Sequence, residues 1–377
     1  MEPKPALQPL ALSPLSQHPL VSVLLPVYNY DRYLAHAIES VLGQSYSNLE
    51  LIICDDGSTD NSVAIARQYA APDPRVKVVE QQNGGQAAAL NAAFREHSGE
   101  IVCILDADDM FLPDKLQRVV EEYRKNPDVG VLVHSMILMN GHEKPVEVIP
   151  FLSHFEHGWI GDKLIRRGGR WRFMPSSALS FRAELGVYCM PIPEEAFRKS
   201  AESFVFTILP LFTCVGSIRE PLSLYRMHDS NMTGEFAFNP TTLRYRETCM
   251  RVPTNAVNHQ LASMGYPHRL YLNRNLDFAM IRFKRYMLEA KPVRVRLRYY
   301  RHLVTLAVRD DLLSFGGKLM VIVGHGASLL LNRAGRQWLF DQMISPNPLK
   351  RFLRWWSPAS ARRPIPNAAA IERVRES

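Results

Sequence analysis

The chain has few cysteines, and none of them forms a C-x-x-C pair. Two of the five, Cys54 and Cys103, lie inside apolar runs, where a free thiol behaves as a small buried hydrophobic group. A zinc site or a disulfide-bonded scaffold needs paired or regularly spaced cysteines, so the sequence argues against both. This cysteine usage is typical of a reducing compartment, and we expect a cytoplasmic protein.

The chain also lacks a long apolar segment of the kind that crosses a membrane. Residues 319–331 are apolar over thirteen positions and include His325, whereas a membrane-spanning helix needs about 20 residues. We therefore expect a buried or interfacial helix there. The first twenty residues are rich in Pro, Ser and Gln and have no apolar core of a secretory leader. Residues 1–19 are predicted to be a disordered tail.

The composition is that of a folded globular protein, but the charge is unevenly placed. Hydrophobic residues make up 46% and charged residues 22% of 377 positions, which allows one large domain or two ordinary ones. Residues 281–377 hold 19 Lys and Arg against 6 Asp and Glu, a net +13, so the rest of the chain carries −5 of the total +8. The C-terminal quarter is therefore either a solvated helical surface or a contact for an anionic partner.

The anionic partners to consider are a membrane surface and a nucleic acid. Residues 349–356 (LKRFLRWW) mix basic with aromatic side chains, which suits the headgroup layer of a bilayer or a groove on another protein. No nucleic-acid-binding motif is recognised in the sequence, so we expect no nucleic acid partner. We predict a peripheral contact of this region with the inner face of the plasma membrane.

From Val21 to about Val133, apolar strands alternate with amphipathic helices. The predicted strands are residues 21–26, 49–54, 76–80, 101–105 and 129–133, and the predicted helices are residues 31–42, 60–70, 85–97 and 113–125. Strands that alternate with helices of this length indicate βαβ units and a mainly parallel sheet. In such sheets, ligands bind at the carboxyl ends of the strands.

A cluster of carboxylates follows the fourth predicted strand. Asp106, Asp108 and Asp109 come directly after residues 101–105, and carboxylates this close together repel one another unless a cation offsets them. Mg²⁺ binds one or two carboxylates together with substrate phosphates. The alternative is a solvated turn that caps the next helix. On this motif alone both interpretations stay open.

Two more polar turns follow earlier strands. Asp55 and Asp56 precede Gly57 in a turn where one carboxylate can accept a hydrogen bond from a nucleobase N–H, although an ordinary strand-to-helix turn has the same composition. Residues 83–85 (NGG) open a helix that carries Asn91. Glycine lets the backbone approach a ligand closely, and a helix N-terminus favours phosphate. Three such turns at consecutive strand ends are stronger evidence together than separately.

These motifs together resemble the nucleotide-binding half of the family 2 glycosyltransferases, which have the GT-A fold. The matching segments, in the family's order and at its intervals, are SVLLPVYN (22–29), DDGSTD (55–60), NGGQAAALN (83–91) and LDADD (105–109). A weaker similarity continues through MPSSALSFR (174–182), Glu202 and EPLSLYRMH (220–228). The resemblance implies an α/β, Rossmann-like and mainly parallel sheet flanked by helices, followed by a mostly helical C-terminal region.

By this resemblance the chain has three parts. They are the tail over residues 1–19, a GT-A domain over 20–235 and a basic helical region over 236–377. Within the GT-A domain, residues 20–135 would form the nucleotide-sugar half and residues 136–235 the acceptor-side half.

The resemblance also implies a pocket for the donor, which by analogy is a UDP-sugar. The residues that would line the base pocket are Pro26, Val27, Tyr28 and Asn29. One of Asp55 and Asp56 would hold the base. The residues that would border the nucleotide and the sugar are Asn83, Gly85 and Asn91.

A metal site is implied next to this pocket. Asp106 and Asp108 would form the D-x-D pair that meets the ribose and, through Mg²⁺ or Mn²⁺, the diphosphate. The metal stabilises the charge that develops on the leaving nucleoside diphosphate. Asp109 would lie behind this pair or contact the sugar. Residues 225–228 (YRMH) would fold over the diphosphate, with His228 as a neighbour of the phosphate or the metal.

An inverting transfer also requires a general base that takes the proton of the acceptor hydroxyl. In the family this is usually an Asp in a short acidic motif at the start of a helix. The matching stretch here, residues 199–204 (KSAESF), holds Glu202 as its one carboxylate. Glu202 is therefore the predicted base, with Glu194 and Glu195 as the fallback. The alternative is that Glu202 only caps a helix.

The sequence thus predicts a metal-dependent inverting glycosyltransferase. It would move a sugar from a nucleotide-sugar to a hydroxyl of a glycan, a lipid-linked molecule or a peptide, in cell-surface glycan or glycoconjugate synthesis. A sugar nucleotidyltransferase would carry a glycine-rich basic loop where this chain has PVYNY (26–30). A degenerate transferase that serves as a membrane-associated interaction module stays open, because Glu202 replaces the family's commoner Asp.

Overall fold

The computed structural model of the chain separates into two compact units. The described residues are 7–139, 145–149, 156–171, 174–228 and 239–344. Those of the first unit, here called the sheet unit, lie within residues 7–161 and 174–228. Those of the second, the helical unit, lie within residues 162–171 and 239–344.

One sheet of nine strands runs through the described part of the sheet unit. The strands are β1 (Val21–Val27), β2 (Leu49–Asp55), β3 (Val76–Glu80), β4 (Ile101–Ile104), β5 (Met110–Phe111), β6 (Val129–Met139), β7 (Pro145–Ile149), β8 (Leu179–Arg182) and β9 (Cys214–Arg226). Their order is β3-β2-β1-β4-β8-β6-β9-β5, and β7 pairs with β6.

The sheet is parallel in its first half and mixed in its second. β1 pairs in parallel with β2 and β4, and β2 pairs in parallel with β3. β8 is antiparallel to both β4 and β6, whereas β9 is parallel to β6 and antiparallel to β5. The predicted parallel arrangement is therefore confirmed for the first four strands. Because Val27 lies opposite Asp55 in the register, the ends of β1 and β2 are level.

Seven helices of the described chain begin before residue 210. They are α1 (Asp31–Leu42), α2 (Ser62–Ala70), α3 (Gln86–Arg95), α4 (Lys115–Lys125), α5 (Gly161–Arg166), α6 (Gly186–Cys189) and α7 (Glu202–Ile208). All five strands and all four helices predicted over residues 21–133 are present, and the last of those strands continues to Met139.

The core of the sheet unit follows from the sequence pattern. α1 buries one stripe of side chains, namely Tyr33, Leu34, Ala37, Ile38 and Val41. Every residue of β2 is buried, as expected of a central strand in a sheet covered on both faces. Four of the five buried residues of α1, all but Tyr33, belong to a core cluster that also holds side chains of β1, β2 and β4. This packing fixes the strand ends that carry the polar turns.

Residues 7–19 make specific contacts, unlike the disordered tail predicted for them. The Leu10 N–H donates to the Phe212 carbonyl at 2.8 Å, and the Ser13 hydroxyl donates to Glu184 at 2.8 Å. The Ser16 N–H donates to Glu100 at 2.8 Å. Serine is uninformative in a pattern of apolar periodicity, yet here it satisfies carboxylates of the sheet unit.

The helical unit has its own core. Its helices after residue 239 are α8 (Pro240–Ser263), α9 (Leu276–Leu288), α10 (Val293–Arg309), α11 (Phe315–Ser328) and α12 (Arg333–Ile344). The core is formed by Leu243, Leu276, Phe283, Met287, Leu288, Leu303, Ala307 and Phe340. No described helix is both long and apolar enough to cross a membrane. The predicted interfacial segment 349–356 lies outside the described residues.

A buried ion pair fixes residues 162–171 within the helical unit, although the sequence places them in the acceptor-side half. Arg170 donates to Asp277 at 2.6 Å and also pairs with Asp310. Arg170 and Asp310 are both buried. Two charges removed from water stabilise a fold only while each keeps its partner.

We expect Arg170→Met to lower the free energy of unfolding by about 3 kcal/mol or more, because it leaves the Asp310 carboxylate buried and unpaired. The matched control is Arg67→Met, which removes an ion pair with Glu80 between exposed side chains and should cost about 1 kcal/mol or less. Urea denaturation of the two variants measures both values. Equal losses would contradict the proposed importance of the buried pair.

Candidate active site

The turn after β1 is bound to the turn after β2. Asn29 has a φ of +58°, in the left-handed region, and its side-chain oxygen accepts the Thr59 N–H at 2.8 Å. The Asn29 N–H donates to the Ser58 hydroxyl at 3.0 Å. Tyr28 stays 46% exposed. Asn29 therefore shapes the loop. The ring of Tyr28 is open to solvent directly after Pro26 and Val27, the last residues of β1.

The neighbouring carboxylates Asp55 and Asp56 have different surroundings, although both are buried. Asp56 accepts hydrogen bonds from Gln81 at 2.7 Å, from the Gly84 N–H at 2.8 Å and from the Gly85 N–H at 2.7 Å. Asp55 uses one oxygen to accept the N–H groups of the following turn. Its Oδ1 is buried without a hydrogen-bond partner among the described residues. Asp56 thus fixes the glycine turn, while Asp55 keeps an unused acceptor.

The glycine turn needs glycine at position 85. Gly85 has a φ of +92°, and a Cβ there would lie 2.7 Å from the Cα of Arg198. Arg198 donates to the Gly84 carbonyl at 3.1 Å and to the side-chain oxygen of Asn83. The turn before α3 is therefore packed directly against the chain that leads into α7.

Asn91 has a structural place within α3. Its amide donates to the Ile192 carbonyl at 2.9 Å and to Glu194 at 3.1 Å, and its oxygen accepts the Ile192 N–H at 2.7 Å. Asn91 is also buried. These bonds hold the loop at residues 192–194, and the place of Asn91 beside the donor stays a prediction.

The three carboxylates after β4 are crowded as the sequence predicts. Asp109 accepts the Ser177 hydroxyl at 2.6 Å and the Arg226 N–H at 3.0 Å. Burial, and then repulsion by Asp108, raises the pKa of both Asp106 and Asp109. Neutral donors therefore hold Asp109 in place, and both burial and crowding disfavour the charged forms of Asp106 and Asp109.

His228 and Arg226 both contact Asp108 and the ring of Tyr33. His228 Nε2 is 3.0 Å from Asp108 Oδ2, and its ring stacks on Tyr33 at 4.8 Å between centroids. Arg226 is buried and donates from Nε to the Asp108 carbonyl at 3.0 Å. The Arg226 guanidinium lies 4.9 Å from the centre of the same Tyr33 ring. The predicted placement of residues 225–228 over a diphosphate stays a prediction.

Glu202 is the first residue of α7 and lies near Asp106. Its Oε2 is buried without a hydrogen-bond partner among the described residues, and burial raises its pKa to about 7. The helix shows no side-chain cap, and Ala201 occupies the N-cap position. Glu202 therefore follows the N-cap position, and its carboxylate has the acidity of a group that exchanges protons near neutral pH.

Two residues without a predicted role connect Glu202 to the carboxylate cluster. Ser176 lies close enough to Asp106 and Glu202 to lower the pKa of both carboxyls. Gln86 donates to Asp106 Oδ1 at 3.4 Å and accepts the Ala201 N–H at 3.0 Å. Both lie within segments that match the family, which was the available signal. The fallback bases Glu194 and Glu195 are exposed, whereas the Glu202 carboxylate is buried.

Lys115 is a third residue that the sequence does not single out. It is completely buried, donates from Nζ to the Ser177 carbonyl at 2.8 Å and lies 3.2 Å from the centre of the Phe111 ring. Burial lowers its pKa to about 7. Lys115 thus holds the Ser176–Ser177 turn through the Ser177 carbonyl. The sequence does not predict its burial, because a lysine in an amphipathic helix is normally exposed.

Two comparisons decide the family. Residues 22–175 match the family model described as glycosyl transferase family 2. An uncharacterized glycosyltransferase of Nostoc sp. strain PCC 7120 is 33% identical over 267 residues, which cover 70% of this chain and 82% of that protein. The chain belongs to glycosyl transferase family 2. It is therefore a glycosyltransferase, as the motifs predict.

Further likenesses support the fold and the general role of this family 2 enzyme. A chondroitin synthase of Escherichia coli is 40% identical over 140 residues, covering 35% of this chain and 20% of that protein. The structure of S. aureus TarS 1-349 in complex with UDP-GlcNAc covers 87% of this chain and 93% of that chain, with a TM-score of 0.54 and 17% identity. The structural likeness confirms the predicted GT-A fold.

We expect Ser177→Ala to lower the free energy of unfolding by about 1–3 kcal/mol, because the buried Asp109 carboxylate loses a donor and the Asp106 N–H loses its acceptor. Urea denaturation measures the loss. The matched control, Thr305→Ala, removes an exposed hydroxyl that bonds within its own helix and should change stability by about 0.5 kcal/mol or less. A loss no larger than this control would show that the Ser177 bonds are dispensable.

Proposed function

We propose that this family 2 glycosyltransferase is a metal-dependent inverting enzyme that uses a UDP-sugar and transfers its sugar to a hydroxyl of a growing glycan. The observation that carries the proposal is the link between Glu202 and Asp106. A carboxylate with a pKa of about 7 lies across Ser176 and Gln86 from a carboxylate of the D-x-D pair. A base for the acceptor and a site for the leaving group are thereby adjacent.

Residues at the ends of β1 and β2 support the proposal that the nucleotide of the donor is a uridine nucleotide. Asp55 Oδ1 has no donor among the described residues, and the imide N–H of uracil would supply one. The exposed ring of Tyr28 offers a face on which the base can stack. The TarS structure, which shares the fold, was solved with UDP-GlcNAc. We assign base recognition to Asp55, with Asp56 shaping the turn.

The residues present fit a divalent metal that is bound together with the donor. The described residues contain no group of three or more His, Cys, Asp or Glu side chains arranged for a metal. Asp106 and Asp108 supply two carboxylates, and burial followed by the repulsion of Asp108 raises the pKa of Asp106. Mg²⁺ commonly binds to one or two carboxylates and completes its shell with substrate phosphates. When bound, it would stabilise negative charge on the diphosphate.

Glu202 has the properties of the base. Its carboxylate would accept the proton of the acceptor hydroxyl while that oxygen attacks the anomeric carbon of the donor. A proton acceptor with a pKa near the working pH combines a useful ionised fraction with sufficient basicity. The glutamate replaces the family's commoner aspartate, and its position at the start of α7 is fixed by Gln86 and Ser176.

The likeness to chondroitin synthase supports a glycan acceptor. Both the acceptor and the linkage belong to the proposal. A screen that detects released nucleoside diphosphate over a panel of nucleotide-sugars, with and without a chelator, tests the donor and the metal together. Release from GDP-sugars only would contradict the assignment of Asp55 to uracil.

We expect Glu202→Gln to reduce turnover by at least about a hundredfold while donor affinity changes little, because general base catalysis contributes about 10²–10⁴-fold. In the wild type, turnover should rise with pH up to about 7 and then level off, since the base must be deprotonated to act and burial raises its pKa to about 7. Release of nucleoside diphosphate across pH measures both effects, and calorimetry measures donor binding.

The matched control for this experiment is Glu195→Gln, an exposed carboxylate seven positions earlier on the chain. It should keep the turnover and the pH profile of the wild type. If Glu202→Gln also retains turnover, Glu202 is not the base. A Glu195 variant that loses turnover would move the assignment to the fallback pair.

We expect Mn²⁺ or Mg²⁺ together with UDP to raise the melting temperature of the wild type, and Asp108→Asn to abolish the rise. Ligand at about 100 times its dissociation constant stabilises a fold by about 2.7 kcal/mol. The control is Asp114→Asn, an exposed carboxylate without a capping bond on the next helix. Thermal unfolding by fluorescence measures the shift. An equal shift in both variants would exclude Asp108 as a ligand.

A further inference from the structure

α11 carries apolar side chains on two opposite faces. One face packs into the helical unit, where His325 and Ser328 are buried and Val321 and Ile322 contact the core. The other face presents Phe315, Leu319, Met320 and Val323 to solvent, and Phe315 is 82% exposed. A surface helix of a globular protein normally has polar residues on its outer face. This exposed apolar stripe therefore requires a partner.

The neighbouring helix α10 carries a basic stripe beside it. Arg294, Arg298 and Arg301 recur at intervals of four and three residues and flank a surface depression that includes Leu297. At this spacing the three guanidinium groups lie on one side of the helix. Among the described residues, none of the three takes part in an ion pair. Leu303 and Ala307, the buried residues of α10, face the core instead.

The two stripes lie on the same outer side of the helix pair. The Tyr300 hydroxyl of α10 donates to the Ile322 carbonyl of α11 at 3.0 Å, and Lys318 of α11 donates to the Val308 carbonyl at 2.9 Å. The helices are thus adjacent and antiparallel, and each stripe lies away from the buried residues of its own helix. We call these residues together the α10–α11 surface: Arg294, Leu297, Arg298, Arg301, Phe315, Leu319, Met320 and Val323.

We propose that the α10–α11 surface binds an anionic lipid bilayer. The apolar stripe of α11 would enter the boundary between headgroups and acyl chains, where apolar area leaves water. The arginines of α10 would pair with lipid phosphates, for which a planar guanidinium is well shaped. α11 has 14 residues, too few to cross a bilayer, so it would lie in the plane of the interface.

Each of two other possible occupants, a nucleic acid and a second copy of the chain, would satisfy only one of the two stripes. A nucleic acid would pair with the arginines but leave the apolar stripe in water. A second copy of the chain would cover the apolar stripe, but a two-fold contact over the whole surface would bring the arginine stripes of both copies together. A bilayer with anionic headgroups satisfies both stripes. The net charge of +13 over residues 281–377 adds long-range attraction to the same lipids.

The test uses the full chain and sedimentation with vesicles of phosphatidylcholine, with or without phosphatidylglycerol. We expect the wild type to bind the mixed vesicles, and to bind neutral vesicles at least about tenfold more weakly. The apolar variant F315S/L319S/V323S and the basic variant R294Q/R298Q/R301Q should each lose at least about tenfold in partition to the mixed vesicles. High salt should weaken the wild type more than the basic variant.

The matched controls change exposed residues elsewhere. Val187→Ser removes an apolar side chain that is 75% exposed on the sheet unit, and Arg67→Gln removes a charge on α2. Both should bind like the wild type. If either triple variant melts at a lower temperature, the single variants Leu319→Ser and Arg298→Gln replace it, with a partition loss of about twofold or more expected.

Three outcomes would overturn the proposal. The first is vesicle binding by both triple variants within about twofold of the wild type, which would place the lipid contact elsewhere in the chain. The second is binding of duplex DNA, but not of vesicles, that depends on the arginines. The third is a dimer in solution that the apolar variant converts to a monomer while the wild type fails to bind vesicles. Donor binding by the sheet unit is measured separately, so failure here leaves the proposed function unaffected.

Discussion

The mutual repulsion of Asp106, Asp108 and Asp109 at the end of β4 is the constraint around which the active site is built. Three carboxylates within four positions are costly where water is scarce. The chain offsets this cost with neutral donors, since Asp109 accepts the Ser177 hydroxyl and the Arg226 N–H. The Gln86 amide contacts Asp106, and the His228 ring contacts Asp108. Because Ser177 and Arg226 lie near β8 and on β9, the mixed half of the sheet is required to complete a site that the parallel half begins.

The carboxylates near the strand ends are of two kinds, those held by several protein donors and those with an acceptor oxygen that faces the site. Asp56 fixes the glycine turn, whereas one oxygen of Asp55 has no hydrogen-bond partner among the described residues. Asp109 is fixed by protein donors in the same way, and we propose Asp106 and Asp108 as the carboxylates that meet the ligand. A buried carboxylate with three backbone or amide donors is an anchor, because removing any donor leaves charge unsatisfied. Rigid anchors next to available acceptors hold a ligand site in its working geometry before the ligand arrives.

The sequence predicts the parallel half of the sheet and the site on it, because apolar periodicity and polar strand ends are local properties. It does not choose between Asp55 and Asp56, since adjacent carboxylates in one turn have the same pattern and differ only in which N–H groups reach them. The burial of Lys115 and Arg226 is also not predicted, because a charged side chain in a helix or strand is normally exposed to solvent. Likewise, residues 162–171 give no local sign that Arg170 pairs with Asp277 and Asp310 across more than a hundred positions.

The apolar run at 319–331 excludes one structure, a membrane span, by its length, but does not distinguish a buried from an interfacial helix. The structure shows one face of α11 in the core of the helical unit and the other in solvent. A helix that is apolar on both faces satisfies only one of them within its own unit. If the second face meets a bilayer, the sheet unit of the same chain is kept close to that bilayer. Among the glycan, lipid-linked and peptide acceptors, this favours a lipid-linked glycan, because its hydroxyl would then be presented at the surface where the enzyme already lies.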